Sequence, residues 1–365
     1  MIKKKVIVAM SGGVDSSVSA YILKKIGYCV EGIFMNNWEI DNNENSCNSL
    51  KDFLDTKLVT DILDIKLHTI NFSKDYFNNV FKYFLNVYLK GNTPNPDILC
   101  NKIIKFNILK DFINKNIKCD YISTGHYARN IFCKKKNKNF LLRGLDKNKD
   151  QSYFLYKLNS NEINKYIFPL GNFKKNEVRK IAEKIKISNY NKKSSTGICF
   201  IGNKCFNNFL SKFISKSKGI ILSEDNKFIG YHNGISFYTI GQRKGLNIGG
   251  IKGYKESPWY IIDKNIKKNI LVVSQNKNHK NLISYGLIAN NINWINKIPN
   301  NINRFKALVK IRYNHNNDIN SLVKIFNNFV YVIFDKPNGV VVPGQSVVFY
   351  IGNNCIGGGI IYSRI

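Results

Sequence analysis

The chain runs to 365 residues, too many for one ordinary hydrophobic core and enough for two or three domains of ~150 residues each. Its 56 Lys and Arg against 24 Asp and Glu leave a formal charge of +32, which makes a polyanion the expected partner. Part of that charge is also what drift toward AT-rich codons deposits in a chain so rich in Lys, Asn and Ile, but 44% hydrophobic residues exclude a disordered polycation and no stretch approaches the ~18 to 20 apolar residues of a membrane span.

The N-terminus opens with lysines and a short apolar run. At five residues (6–10) that run falls short of the ~7 to 15 of a secretory segment, so a cytoplasmic protein is expected. Residues 6–10 are a β-branched run that predicts a buried strand, and Val14, Val18, Tyr21 and Ile22 then recur at helical spacing. Further strands are predicted over 29–34, 67–72 and 121–124, with helical patterns over 54–63 and 106–113 between them. Such alternation predicts an α/β fold: a parallel sheet covered on both faces, with ligands at the carboxyl ends of its strands. Beyond about residue 205 helical periodicity fades, and 238–251 reads as loop and turn. From Asn291 short runs (305–313, which alternates, 329–334, 346–351 and 355–361) are punctuated by Asn338-Gly339, Pro343-Gly344 and Gly357-Gly358-Gly359, which predicts a small antiparallel β-barrel. Domains are therefore expected over 1–205, 206–280 and 281–365. Lys306, Lys310 and Arg312 fall on the alternate face of the first barrel strand, as a solvated surface or as part of a nucleic-acid footprint.

The eight cysteines (Cys29, Cys47, Cys100, Cys119, Cys133, Cys199, Cys205, Cys355) include no C-x-x-C pair. That argues against a disulfide framework and a tetrahedral zinc site, and most read as small buried hydrophobes.

Three segments carry chemistry. Ser11-Gly12-Gly13-Val14-Asp15-Ser16-Ser17 lies between the first strand and the first helix. The two glycines allow close backbone approach to an anion, and the hydroxyls with the free helix-start N–H groups suit a pyrophosphate. Asp15 would repel phosphate without an intervening cation, so Mg²⁺ is expected there. No Gly-Lys-Ser/Thr follows, which excludes a Walker loop. In the second segment, residues 93–101, Pro94 and Pro96 stand two apart; they argue against helix and central strand and predict a rigid loop from which Cys100 emerges, with Asp97 close enough to act on a proton. The third, 194–202, holds Cys199 among small polar, aromatic and glycine residues, as in a reachable loop.

The first segment looks like the PP-loop of the ATP-pyrophosphatase superfamily. Together with Thr93–Lys102, Thr124–Arg129, Asp150–Tyr156, Ser195–Gly202, Tyr238–Gly250, Pro343–Tyr350 and Cys355–Ile361, it makes the chain resemble the bacterial tRNA-specific 2-thiouridylases along essentially its whole length. The resemblance implies a PP-loop domain, a small central domain and a C-terminal barrel that thiolate the wobble uridine of tRNAs for Glu, Gln and Lys. ATP would activate the uracil C2 oxygen, Cys199 would carry persulfide sulfur, and Cys100 would be the nucleophile paired with it. It implies ATP contacts at Ala9, Met10, Ser11, Gly12, Gly13, Val14, Asp15, Ser16, Met35 and Gly125. Asn95, Pro96 and Asp97 would surround the target base. His126, Lys149, Asp150, Gln151, Arg312, Tyr313 and Gln345 would contact tRNA. A cysteine desulfurase or a relay of sulfur carriers would load Cys199, no tightly bound organic cofactor is expected, and the enzyme would work as a monomer away from membranes.

Three positions depart from the family pattern: Ile103, Ser194 and Asn314 stand where glutamate, aspartate and arginine are usual. They predict altered loop electrostatics or a weaker grip on tRNA. Three rivals remain at this level. One is a PP-loop enzyme with another substrate; the second is an iron–sulfur thiolase using Cys100, Cys199 and Cys205; the third is a basic RNA-binding protein without catalysis.

Overall fold

The structure is a computed structural model that describes residues 3–38, 48–192, 206–298, 301–313 and 318–365. Cys47, Cys199, Cys205, Ser194 and Asn314 lie outside the described residues.

The first domain is built on five parallel strands: β1 (Lys5–Met10), β2 (Cys29–Asn36), β3 (Leu67–Asn71), β4 (Tyr121–Ser123) and, after a β5–β6 hairpin (Ala128–Cys133, Lys138–Arg143), β7 (Tyr166–Ile167). Their order is β3-β2-β1-β4-β7, which puts β1 in the middle. Side chains alternate across a strand, so a strand covered on both faces must be apolar at every position. β1 meets that demand: Ile7 and Ala9 enter one hydrophobic core, and Val6, Val8 and Met10 enter the other. Helix α1 (Val14–Lys25) follows β1 directly, and α2 (Asn48–Ile62) connects β2 to β3.

The central domain is a four-stranded sheet, β8 (Gly219–Ser223), β9 (Phe228–His232), β10 (Tyr260–Asn265) and β11 (Ile270–Ser274), in the order β10-β11-β8-β9. Residues 238–250 between β9 and β10 carry no strand or helix, as expected.

The last domain comprises β12 (Ser284–Trp294), β13 (Arg304–Lys310), β14 (Ile319–Phe326), β15 (Phe329–Asn338), β16 (Ser346–Ile351) and β17 (Asn354–Arg364). The antiparallel order β12-β15-β14-β13-β16-β17 closes through β12–β17 pairing into the predicted barrel, filled by Val309, Val323, Val332, Val347 and Phe349.

The hairpin β5–β6, within the first domain by sequence, extends the barrel sheet through Cys355↔Leu141 and Asn354↔Leu142. Three sequence expectations are corrected. Gly357-Gly358-Gly359 is not punctuation but lies inside β17, where a Cβ on Gly358 would come within 2.5 Å of the Val347 carbonyl oxygen. Lys310 is not on a solvated face. It is 7% exposed with its Nζ 5.5 Å from the centre of the Tyr313 ring, and burial lowers its pKa. Finally, Cys100 is not on a loop. Pro96 occupies the first turn of a helix (Pro96–Leu99), where a missing N–H costs no hydrogen bond, and residues 96–116 continue as helix with Cys100 inside it.

No helix among the described residues is long and apolar enough to cross a membrane.

Candidate active site

The phosphate loop sits where β1 ends in the middle of the sheet. Gly12 has φ +66°, a region that favours glycine, and a Cβ there would lie 2.3 Å from the Asp52 carbonyl oxygen. Gly13 is the N-cap of α1 and offers no side-chain cap, which leaves the helix-start N–H groups open to an anion. Ser16 Oγ accepts from the Ser11 N–H at 3.2 Å, and Ser16 and Ser17 both donate to the Gly13 carbonyl, at 3.1 and 2.9 Å. The loop is thus shaped before any ligand arrives. Its outer side is anchored as well: Asn189 and Lys192 donate to the Gly12 carbonyl, and Lys192 also pairs with Asp52 and Asp55 on α2.

The end of β4 meets α1. A Cβ on Gly125 would stand 2.9 Å from the Ser16 nitrogen and 3.0 Å from the Asp15 carbonyl carbon, so only glycine lets the two backbones touch. Next to it, the Tyr127 hydroxyl donates to Asp15 Oδ1 at 2.8 Å, and Lys175 Nζ pairs with the same oxygen at 2.6 Å. Burial and the Asp15 carboxylate hold the Tyr127 hydroxyl far above its ordinary pKa, so it remains a donor. The cation expected at Asp15 is therefore a lysine of this chain. A divalent metal at Asp15 Oδ1 would face the Lys175 ammonium at hydrogen-bond range, so that oxygen is taken by the protein's own cation.

Cys100 is 4% exposed and packs in the first domain's core with Ile98, Ile104 and Phe106. Asp97, one turn before it, has its pKa raised by burial, with Lys105 opposing. The segment leading into this helix is held by all three domains. Gln345, beside β16, donates to the carbonyls of Thr93 and Pro94 at 3.0 and 3.1 Å, and the Thr93 N–H donates to the Pro343 carbonyl. From the central domain, Thr239 Oγ1 lies 2.9 Å from Thr93 Oγ1 and Lys264 Nζ donates to the Gly91 carbonyl. Burial lowers the Lys264 pKa to about 8. Tyr153 continues the connection: its hydroxyl donates to the Ser346 carbonyl and has the Asn95 side chain beside it. Gln345→Leu strands two backbone carbonyls at this junction. We expect it to cost about 1–3 kcal/mol, read as a lower midpoint in thermal unfolding, and to slow turnover through the displaced Asn95–Asp97 turn; an unchanged midpoint would show that the junction adds no stability.

The structure brings the phosphate loop, Gly125, the Asn95–Asp97 turn, Gln151 and Gln345 into one connected array, in which Gln151 binds the Tyr127 backbone through both its N–H and its Oε1. Met35 lies at the end of β2 beside β1, partly buried against the core. Three of the residues expected at tRNA hold partners inside the fold. Asp150 is 2% exposed and accepts from Gly144 N, Ser152 N and Ser152 Oγ, so its carboxylate is spent inside the fold. His126 is 8% exposed, bonded to Thr124 Oγ1 and packed by Phe106 and Phe168; burial puts its pKa well below the usual value and keeps it neutral. Arg312 donates to the Val340 carbonyl at 3.0 Å and is half-buried. Tyr313 packs on Phe154, ring centres 4.5 Å apart, and Lys149 borders a basic cleft. Sequence reasoning missed Tyr127, Lys175, Asn189 and Lys192, because each acts through a residue at least 112 positions away and leaves no local signal.

A glycine-rich phosphate loop on the middle strand of a parallel sheet, with a buried cysteine helix packed beside it and two β domains holding the approach to that helix, defines a three-domain PP-loop protein. Family profiles agree along the chain: "tRNA methyl transferase HUP domain" matches residues 4–203, "tRNA methyl transferase PRC-barrel domain" 207–275 and "Aminomethyltransferase beta-barrel domain" 284–361. Full-length relatives carry a different name. The tRNA-specific 2-thiouridylase MnmA of Buchnera aphidicola subsp. Acyrthosiphon pisum is 55% identical, over 99% of this chain and 98% of the relative. That of Vibrio cholerae serotype O1 is 49% identical, over 100% of this chain and 97% of the relative. The chain belongs to the tRNA-specific 2-thiouridylase (MnmA) family. The methyl-transfer wording of the profiles describes domains, whereas the thiouridylase name rests on matches across the entire length.

Proposed function

We propose that this chain is an ATP-dependent sulfurtransferase that makes 2-thiouridine at the wobble position of tRNAs for Glu, Gln and Lys. What carries the reading is a preformed anion loop tied through Tyr127, Gln151 and Asn95 to the helix of Cys100, in a chain about half identical to thiouridylases over its full length. Residues 9–16, Met35 and Gly125 hold ATP; Mg²⁺ is the counter-ion the nucleotide brings. Asn95, Pro96 and Asp97 seat the uracil. Its C2 oxygen attacks the α-phosphate, pyrophosphate leaves, and an unreactive carbonyl becomes a site from which AMP can depart.

Sulfur arrives as a persulfide on Cys199. Cys100 attacks the inner sulfur, so that hydrosulfide departs as a disulfide forms between the two cysteines, and the hydrosulfide displaces AMP at C2. An external dithiol then reduces the disulfide. A cysteine desulfurase, or a relay of small carriers, reloads Cys199. We assign residues 1–205 to adenylation, 206–280 and 281–365 to holding tRNA, and place the enzyme in the cytoplasm as a monomer. Lys149, Gln151, Arg312, Tyr313 and Gln345 supply the tRNA contacts, and His126 and Asp150 contribute by shaping the surface rather than by touching RNA.

The test is thiolation in vitro with ATP, a persulfide source and each of the three tRNAs, resolved on a mercury-containing gel. A retarded band that requires ATP is expected. A protein that binds these tRNAs yet gives no ATP-dependent band is the non-catalytic RNA binder instead.

A further inference from the structure

The helix that carries Cys100 has two lysines just beyond it, and they are used differently. Lys102 pairs with Glu162 at 2.5 Å, and the other Glu162 oxygen accepts from the Asn159 N–H. The Lys105 ammonium makes no hydrogen bond or ion pair among the described residues. Its position is nevertheless fixed. Residues 100–108 wind in the wide i→i+5 turns of a π-helix, a rare geometry frequent at functional sites, which sets Lys105 one turn above Cys100. The Tyr166 hydroxyl on β7 donates to the carbonyls of Lys105 and Phe106, at 3.3 Å each, and the Phe106 ring centre lies 6.1 Å from that of His126.

Asp97 stands in the first turn of the same helix. Of the segments packed most closely on that turn, 77–81 carries no titratable side chain, and 152–155 carries only Tyr153, which burial keeps protonated. The third, 100–108, carries Cys100, Lys102 and Lys105. Beyond β4, His126 is neutral. Among these groups Lys105 is the one whose charge acts on the Asp97 carboxyl.

We propose that Lys105 is a positioning residue for the first half-reaction: its ammonium holds Asp97 as the carboxylate that takes the N3 proton of the uracil. The proposal rests on the reading in which Asn95, Pro96 and Asp97 seat that base. The N3 proton passes to Asp97, and the electron pair it leaves moves through C2 onto the C2 oxygen. That oxygen bonds to the α-phosphorus, the bond bridging the α- and β-phosphates breaks, and its electron pair departs with pyrophosphate. Two demands on Asp97 oppose each other. Burial raises its pKa and makes it a stronger base, but a carboxyl raised too far is protonated and accepts nothing. A cation that acts by charge without a direct bond meets both demands, whereas a salt bridge would occupy the oxygens the substrate needs.

Single-turnover release of pyrophosphate from ATP with tRNA present is followed across about pH 5 to 9. Activity needs the ionised carboxyl, so the rate falls as pH drops through the Asp97 pKa. Removing Lys105 raises that pKa and moves the fall to higher pH. In Lys105→Met the acidic limb is expected about one pH unit above wild type, with the rate on that limb about tenfold lower at a given pH. Lys105→Arg keeps the charge and should keep the wild-type limb. Lys105→Gln repeats the comparison if thermal unfolding shows that Lys105→Met does not fold. A limb at the wild-type pH in either folded neutral variant overturns the proposal: with a raised KM for tRNA it makes Lys105 a backbone-phosphate contact, and with a uniformly lower rate a structural residue. A limb displaced equally in Lys105→Arg also overturns it, since charge is then not the cause. A wild-type protein that releases no pyrophosphate at any pH refutes the adenylation reading itself, a separate result.

Discussion

Cys100→Ser is expected to remove thiolation entirely, a loss on the order of 10³-fold or more, while ATP-dependent pyrophosphate release with tRNA continues. A serine hydroxyl cannot attack a persulfide and form a disulfide, so hydrosulfide stays attached to its carrier. The substitution is nearly isosteric at a site that is 4% exposed, so the fold should survive at the modest cost of one buried hydroxyl, about 1–3 kcal/mol. The mercury-gel shift and the release of labelled pyrophosphate separate the two half-reactions. Cys199→Ser should give the same phenotype. If Cys100→Ser still thiolates at the wild-type rate, the paired-thiol mechanism is wrong, whatever happens to the ATP step.

Gly125→Ala should have the next largest effect, on the other half-reaction. The added methyl meets backbone atoms, Ser16 N at 2.9 Å and the Asp15 carbonyl carbon at 3.0 Å, which cannot swing aside as a flexible side chain would. The end of β4 must then retreat from the start of α1, shifting the N–H groups that would face phosphate. Displacements of this kind cost about 10²-fold where groups must converge on a ligand, and overpacking a tight contact costs about 1–3 kcal/mol. ATP affinity by calorimetry should fall about 10²-fold while the thermal midpoint drops only modestly. Intact ATP affinity in a folded Gly125→Ala protein would place the nucleotide elsewhere.

How much of this was legible in the chain can be argued from particular residues. The parallel sheet was readable because a strand covered on both faces cannot hide its composition: residues 6–10 are apolar throughout. The phosphate loop was equally open, since a glycine needed at φ +66° and serines at a helix start all act within seven residues of one another. The Cys100 segment was misjudged as loop because two prolines were weighed without asking whether one of them could begin a helix. For Asp150 and His126 the family resemblance implies contact with RNA, and the hydrogen bonds that turn both side chains inward are made with partners no sequence pattern points to.

Local sequence, then, settled whatever depends on neighbours along the chain: which stretches extend, which coil, where an anion can approach backbone, and that thiols are available. Folding settled what depends on distance through space. It chose Lys175 as the counter-charge of Asp15 across 160 positions, lent the β5–β6 hairpin to a barrel that begins some 140 residues later, and set Gln345 on the carbonyls ahead of Cys100. The reason is physical. Periodicity and turn chemistry are short-ranged, whereas charge pairing, burial and hydrogen-bond satisfaction are decided by whichever groups the packed domains bring face to face.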